Sequence, residues 1–299
     1  MNTMTAIRKM QSAIIMPSTA IGYLSYKLKD RFLWEYYFSQ VPDPKILGSI
    51  AHCNHDQIAN DLRAITEVKP MTINVAGYRE YARNEQYSGR YGKSFVEKTL
   101  EHYLAFNLLD LQKDDIYIDI ANACSCAPDI YSCLSGCESY RQDLAFPRGM
   151  HGHTIGGDAG DMPLPDSFCD KMALHCSFEH FEGDSDSRFI REASRVLKPG
   201  GKLCILPLYL NTQYAIQTDP AYALIDIEDD AIAYCAKGYR NRHGRFYDVP
   251  HLVERVVKNL KDLKLTTYMV QNEKEVDPSC YVKFIALFEK PIDPLFIDI

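Results

Sequence analysis

The chain has 299 residues, with 33 Lys and Arg against 40 Asp and Glu for a formal net charge of −7, and 46% of its residues are hydrophobic. That balance speaks against a general binder of nucleic acid or of anionic membrane and leaves room only for a local basic pocket. No stretch reaches the roughly 20 apolar residues of a membrane helix, and the length suits one large domain with an appended piece.

Arg8 and Lys9 precede the short apolar run Ala13-Ile14-Ile15-Met16-Pro17, a faint likeness to a secretory signal. The run is short and no small-residue cleavage site follows, so a packed or surface helix is the expectation. The ten cysteines then read as reduced thiols of a cytoplasmic protein. Residues 1–85 are expected to form a helical N-terminal extension, amphipathic over Ala20 to Tyr37 and broken near Pro42 and Pro44. The group His52, Cys53 and His55 matches no defined metal spacing and reads as a helix start.

Beyond residue 85, the aromatic, glycine-punctuated stretch Tyr87 to Lys93 leads into a helix predicted over Phe95 to Leu111, with Leu100, Leu104 and Leu108 among its apolar positions. Ile116 to Ile120 is a strand by its β-branched and apolar content, Glu138 to Gln142 a second, and His153 to Ile155 a short third. Phe168 to Leu174 follows the Pro-punctuated turn Asp161 to Asp166 as a buried fourth strand. From Ser185 to Leu197, Phe189, Ile190, Ala193, Val196 and Leu197 recur at helical spacing, and Lys198-Pro199-Gly200-Gly201 stops that helix. Leu203 to Leu208 is a fully buried fifth strand. Strand, crossover helix and strand make a parallel α/β unit. A long excursion over residues 210–249, a helix over Pro250 to Leu260, and a hairpin of Leu265 to Val270 with Tyr281 to Glu289 complete the chain.

Several spaced features, Gly157-Asp158-Ala159, Leu164-Pro165, Ser167 to Asp170, Glu179-His180-Phe181 and Arg195 to Gly201, together resemble the class I S-adenosylmethionine (SAM) dependent methyltransferases. The resemblance implies an α/β, Rossmann-like seven-stranded sheet over residues 86–299, mostly parallel with an antiparallel C-terminal hairpin. It implies SAM as cofactor, a small-molecule acceptor, and an N-terminal extension that caps the substrate side or makes a homodimer contact.

In the family a glycine-rich loop follows the first strand, because backbone amides must approach the ligand closely. This chain keeps the acid, Asp119, and replaces the glycines with the small residues Ala121, Ala123 and Ser125. Any of these that requires a positive φ is strained by about 1 kcal/mol or more. Asp143 takes the position of the ribose-binding carboxylate, with a turn cap as the alternative. Asp158 and Ala159 take that of the adenine-edge reader, and Tyr87 and Tyr91 that of a lid.

Methyl transfer needs alignment of the acceptor and sometimes removal of a proton. His180, His175 and His243 are the candidate bases, since neutral histidine is suited to that task near pH 7; His175 also lies at the cofactor edge. Glu179-His180 resembles a pair in the quinone-biosynthesis O-methyltransferases that helps hold a divalent cation. Cys176 stands where those enzymes place a further acid, which argues against a hard-metal site. Arg240, Arg242 and Arg245, with Tyr209, are candidates for binding an anionic or sugar-like acceptor through guanidinium forks; a salt-bridged surface loop is the alternative. Cys124, Cys126, Cys133 and Cys137 lack paired C-x-x-C knuckles, and no metal is expected. The function implied is O-methylation of a small molecule; a silent methyltransferase-like scaffold is the alternative.

Overall fold

The computed structural model describes residues 24, 27–28, 33–50, 53–84, 91–122, 124–222 and 227–292. Much of the stretch expected to be helical before residue 38, together with His52, Tyr87, Ala123 and Asp226, lies outside them. In chain order the elements are α1 (Trp34–Ser39), β1 (Lys45–Leu47), α2 (His55–Leu62), β2 (Glu67–Met71), α3 (Val75–Tyr81), α4 (Phe95–Leu109), β3 (Ile116–Ile120), α5 (Ala127–Ser135), β4 (Glu138–His151) and β5 (Thr154–Gly156). They continue with β6 (Cys169–His175), α6 (Ser185–Val196), β7 (Leu197–Leu206), β8 (Ala215–Thr218), β9 (Ile232–Cys235), β10 (Gly244–Phe246), α7 (Val249–Arg255), β11 (Lys264–Val270), α8 (Glu273–Val276) and β12 (Phe284–Glu289).

The chain divides into two units: residues 54–212 with 247–299, and residues 1–53 with 213–246. The larger unit is built on an eight-stranded sheet of order β2-β11-β12-β7-β6-β3-β4-β5. From β7 through β6 and β3 to β4 the neighbours are parallel, whereas β12 runs antiparallel to both β7 and β11. This is the mixed, Rossmann-like sheet with a C-terminal antiparallel hairpin that the sequence predicts, with one strand more than the expected seven.

The eighth strand is β2, from the segment expected to be helical, and it pairs in parallel with β11. It carries Pro70 and is exposed at Glu67, Lys69 and Pro70. That is tolerable because a strand at the edge of a sheet need satisfy only one neighbour.

The central strands exist because their residues can be buried on both faces. Ile118 and Tyr117 of β3, Met172, Ala173 and Leu174 of β6, and Leu203 and Cys204 of β7 are all fully buried. Helix α6 contributes Phe189, Ile190, Ala193 and Val196, each 0% exposed, the spacing the sequence shows; burial of each large one stabilises by about 1.5–3 kcal/mol. The helix ends at Val196, where Leu197 turns extended. The strand β7 therefore begins at Leu197, just before the Lys-Pro-Gly-Gly stop, and runs through it instead of starting after it.

β4 is longer than expected. It passes Asp143 and returns along β5, so that Asp143 and Arg148 both register with Gly156. A Cβ on Gly156 would lie 1.8 Å from the Pro147 carbonyl oxygen, so only glycine admits this crossing.

The smaller unit holds a four-stranded sheet of order β1-β9-β8-β10. Its strands come from the N-terminal segment and from the excursion after β7, with β1 parallel to β9. The expected boundary near residue 85 is thus not where the chain divides; residues 54–84 belong with the large sheet. Among the described residues no helix is long and apolar enough to cross a membrane.

Candidate active site

Ligands of open α/β sheets bind beyond the carboxyl ends of the parallel strands. In the larger unit those ends carry buried polar groups, Asp119, Asn122, Gln142 and Glu179 among them. Asp119, near the end of β3, is 1% exposed. It accepts hydrogen bonds from the Tyr117 hydroxyl at 3.1 Å and from the Asn122 side-chain amide. Burial pushes its carboxyl up to about 7 against the lowering effect of those donors.

The turn that follows is the glycine-free loop. Ala121 adopts φ 55°, the left-handed conformation that glycine adopts without strain. Its N–H donates to Gln142 Oε1 at 3.2 Å, and the Asn122 N–H donates to the Gln142 carbonyl at 2.8 Å. The Asn122 side chain braces the rest: its Oδ1 accepts the Ser125 N–H at 2.6 Å. Ser125 Oγ lies 3.3 Å from His102 Nε2. Tyr91, of the expected lid pair, places its hydroxyl 3.2 Å from Cys126 Sγ and accepts the Cys126 N–H at 3.2 Å.

Asp143, partly exposed at the end of the regular β3–β4 register, accepts the Ala145 N–H through Oδ1 at 2.8 Å, which is the turn-cap geometry weighed from sequence. Asp158 accepts the Gly160 N–H at 2.8 Å through Oδ1 and pairs through Oδ2 with Arg188 at 2.7 Å. Ala159 beside it is buried.

His175 closes β6. Its Nε2 lies 3.6 Å from Asp119 Oδ1 and 3.4 Å from the Tyr117 hydroxyl, and its ring meets His102 edge-on at 4.8 Å. Burial, then His102 and Lys98, push the imidazole well below its ordinary range, so it is neutral near pH 7. Its Nδ1 is buried without a hydrogen-bond partner.

One residue on, Cys176 (φ 52°) turns the chain. Its Sγ donates to Glu179 Oε1 at 3.2 Å and lies 3.3 Å from the Tyr209 hydroxyl and 3.7 Å from that of Tyr281. His180 is 37% exposed, with Nε2 3.6 Å from Glu179 Oε1.

The face of α4 that packs below these strand ends was not legible as part of the site. It buries Glu97, Glu101 and His102 at 2%, 0% and 1% exposure. Lys98 Nζ donates to both Glu101 oxygens, at 2.9 and 3.1 Å. Glu97 Oε2 accepts the Tyr281 N–H at 2.9 Å. Burial pushes Glu101 up to about 8. Burial alone would lower the Lys98 ammonium, but its contacts with Glu101 oppose that and the net shift is upward. The sequence signal is the placement of Glu97, Lys98 and Glu101 at i, i+1 and i+4 inside an otherwise apolar helix.

The remaining candidates lie in the smaller unit. His243 is 2% exposed and Arg245 0% exposed. The Arg245 guanidinium is taken by Glu228 at 2.6 Å and by the Tyr214 hydroxyl at 2.9 Å, a built interior contact and not a fork presented to a ligand. Arg240 (φ 62°) and Arg242 anchor their loop through backbone groups: the Arg240 N–H bonds Asp219 at 3.3 Å, and the Arg242 carbonyl accepts the Thr218 hydroxyl at 2.7 Å.

Among the described residues no group of three or more His, Cys, Asp or Glu is placed to hold a metal ion. Cys126 and Cys137 are buried, while Cys124 and Cys133 are exposed. Cys137 Sγ lies 3.4 Å from Ser139 Oγ.

Residues 138–205, from the start of β4 to near the end of β7, match the family model for a methyltransferase domain. Over this segment the chain is similar to methyltransferase domains. The methyltransferase segment covers less than half of the chain. A stretch of 56 residues is 45% identical to the chloroplastic 2-methyl-6-phytyl-1,4-hydroquinone methyltransferase of Spinacia oleracea, and covers 18% of this chain and 16% of that protein. The corresponding protein of Arabidopsis thaliana is 43% identical over 56 residues, with the same coverage. The chain thus matches only about a sixth of the length of these curated relatives. Among solved structures, the 1,6-didemethyltoxoflavin-N1-methyltransferase of Burkholderia thailandensis aligns over 82% of this chain and 93% of its own, at 10% identity and TM-score 0.46. Human N-acetylserotonin methyltransferase aligns over 79% of this chain and 66% of its own, at 13% identity and TM-score 0.41.

Proposed function

We propose that this methyltransferase uses SAM and acts on a small hydroxyl-bearing molecule, giving an O-methylated product. The observation that carries the reading is the turn after β3. Ala121 takes a glycine-like φ of 55°, and Asn122 and Gln142 hold the loop through their side chains. The loop therefore keeps a path that a glycine-rich sequence would adopt unaided, and the small Ala121 and Ser125 side chains leave the approach of a ligand to its backbone open. These residues fit the cofactor. Asp143, with its unshared carboxylate lone pairs, is the acceptor for ribose hydroxyls in this reading, and Asp158 with the Ala159 amide the support for the base.

When bound, SAM supplies an activated methyl group on sulfur. What the chain must add is placement of the acceptor and a destination for its proton. His180, partly exposed and held by Glu179, is the acceptor-side base. His175, neutral and buried against Asp119, orients the strand end and is a positioning residue.

The anionic acceptor expected from the arginine run draws no support from Arg245, whose charge is neutralised internally by Glu228. The curated relatives bear a hydroquinone in their names, which is in keeping with a hydroxyl-bearing acceptor.

Calorimetric titration with SAM and S-adenosylhomocysteine (SAH) tests the reading. Micromolar binding that Asp143→Ala abolishes is the expected result. No heat at high ligand concentration would reduce the protein to a methyltransferase-like scaffold.

A further inference from the structure

The turn after β5 that carries Asp158 is held on two sides. On the sheet side, Gln142, 1% exposed, donates through Nε2 to the Gly157 carbonyl at 2.6 Å, and the Gly157 N–H donates to the Asp143 carbonyl at 3.3 Å. The Asp161 N–H closes the turn on the Asp158 carbonyl at 3.0 Å. On the helix side stands Arg188, near the start of α6. All three of its guanidinium nitrogens are engaged: Nε with Asp184 Oδ1 at 3.0 Å, Nη1 with Asp158 Oδ2 at 2.7 Å and Nη2 with the Ser185 hydroxyl at 3.1 Å. The turn is moulded to this side chain, since a Cβ on Gly160 would lie 2.7 Å from Arg188 Nη1 and 2.8 Å from the Arg188 Cβ. The other arginine of this corner, Arg148, is directed to Asp161 at 2.8 Å.

Stability alone does not ask for this arrangement. The Arg188 and Asp158 side chains are 31% and 36% exposed, and an ion pair in contact with water contributes little to folding. The backbone bonds that shape the turn do not involve the guanidinium. What Arg188 does fix is the plane of the Asp158 carboxylate. Oδ1 accepts the Gly160 N–H at 2.8 Å, and a second anchor on Oδ2 removes the rotation that one bond would permit. With one donor on each oxygen, lone pairs remain for a further donor.

We propose that Arg188 is a positioning residue that sets the base specificity of the cofactor crevice. By holding the Asp158 carboxylate in one orientation, it makes the turn select a purine with an exocyclic amine over one with a carbonyl at the same place. The amine donates to the fixed carboxylate, whereas the carbonyl meets it lone pair to lone pair and is rejected. A carboxylate free to turn loses part of both effects, because binding must then order it. The inference rests on the role given to Asp158 above and goes beyond it in assigning the selectivity to a side chain of α6.

The test is calorimetric titration of the full chain with SAH and with S-inosylhomocysteine, which carries hypoxanthine in place of adenine. The parent protein should bind SAH about tenfold or more tightly than the inosine analogue, as expected for one charge-assisted hydrogen bond. Arg188→Met, which keeps a long side chain beside Gly160, should cut that ratio by about fivefold, while the urea midpoint stays close to the parent's. Arg188→Lys, with a charge but no fork, should fall between the two and carries the test if the Met variant disturbs folding. In an Asp158→Ala background, Arg188→Met should leave the ratio where it is. An unchanged ratio in Arg188→Met, whether or not both affinities fall together, overturns the inference and leaves the methyltransferase reading in place; so does a parent protein that binds the two nucleosides alike. A parent protein that binds neither overturns the methyltransferase reading and the inference with it.

Discussion

His175 Nε2 lies 3.6 Å from Asp119 Oδ1, joining the end of β6 to the end of β3. The contact has the form of an ion pair, but burial drives the two groups toward neutrality from opposite directions: the carboxyl is pushed up to about 7 and the imidazole well below its ordinary range. Near pH 7 at most one of the two is charged. A second buried acid, Glu101, lies on α4 beneath the same strand ends and is pushed up to about 8.

These two acids set a pH dependence. Each has a folded pKa above its ordinary value of 3.8 or 4.5, so the stability it contributes is fully present below about pH 4. That contribution is lost as the pH rises to about 7 for Asp119 and about 8 for Glu101, at no more than about 1.4 kcal/mol per pH unit for each group. Urea unfolding from pH 5 to 8.5 should show stability falling across that window, and Glu101→Gln should flatten its upper part. A curve of equal slope in Glu101→Gln and the parent protein would assign the dependence elsewhere.

Ala121 stores strain at φ 55°. Ala121→Gly should therefore raise stability by about 1 kcal/mol, because the relief of the left-handed penalty exceeds the added freedom of the unfolded chain. Ala121→Val should cost more than that, since a branched side chain is poorly accommodated there. Denaturant midpoints of the two variants check the sign, and a destabilised Ala121→Gly would show that the turn is not strained. Asn122→Ala should cost about 1–3 kcal/mol, because Asp119 loses a donor in a buried setting.

The parts of this arrangement that obey a periodicity were legible in the sequence. Phe189, Ile190, Ala193 and Val196 announce α6, and the apolar run of Ile116 to Ile120 announces β3 to the residue. The resemblance in the glycine-free loop also located Asp119, Ala121 and Ser125. Two features were hidden. β2 lies in the stretch expected to be helical because Glu67, Lys69 and Pro70 suit only an edge strand, and an edge is defined by a partner nearly 200 residues away, β11. Glu97, Lys98 and Glu101 look like a solvated helix face, since a charge pattern does not say which side is covered; here burial is met by pairing within the helix and by Tyr281. The pairing of Arg245 was hidden for a related reason: it faces Glu228 inside its own unit, and no sequence spacing distinguishes an inward fork from an outward one.

Arg245 accordingly predicts a stability effect in place of a binding one. Arg245→Ala leaves Glu228 beside an uncompensated interior and should destabilise the smaller unit by about 3–5 kcal/mol. Arg245→Met, which keeps the volume, together with Glu228→Gln should recover part of that loss. Thermal unfolding of Arg245→Ala, and of Arg245→Met, Glu228→Gln and their combination as a cycle, gives the measurement; no coupling between positions 245 and 228 would mean the pair carries no structural weight.

Gly156 provides the sharpest local test, because its requirement is steric and independent of any ligand. A Cβ there would meet the Pro147 carbonyl oxygen at 1.8 Å and the Phe146 carbonyl oxygen at 2.6 Å; both are backbone atoms, which cannot move aside as a flexible side chain can. Gly156→Ala must therefore separate the returning leg of β4 from β5. The cost should exceed about 3 kcal/mol, since overpacking against backbone falls at the severe end of such substitutions. Asp143 registers with Gly156, and Asp158 follows two residues later, so the displacement should also weaken SAH binding in whatever protein remains folded. Gly157→Ala is the control: its φ of 129° strains any side chain, but its Cβ would find only the Arg148 side chain at 3.7 Å, an ordinary contact. Measured by denaturant unfolding, Gly156→Ala should be the more damaging of the two, and a ranking in the opposite order would show that backbone conformation, and not the close approach of β4, is what reserves this corner for glycine.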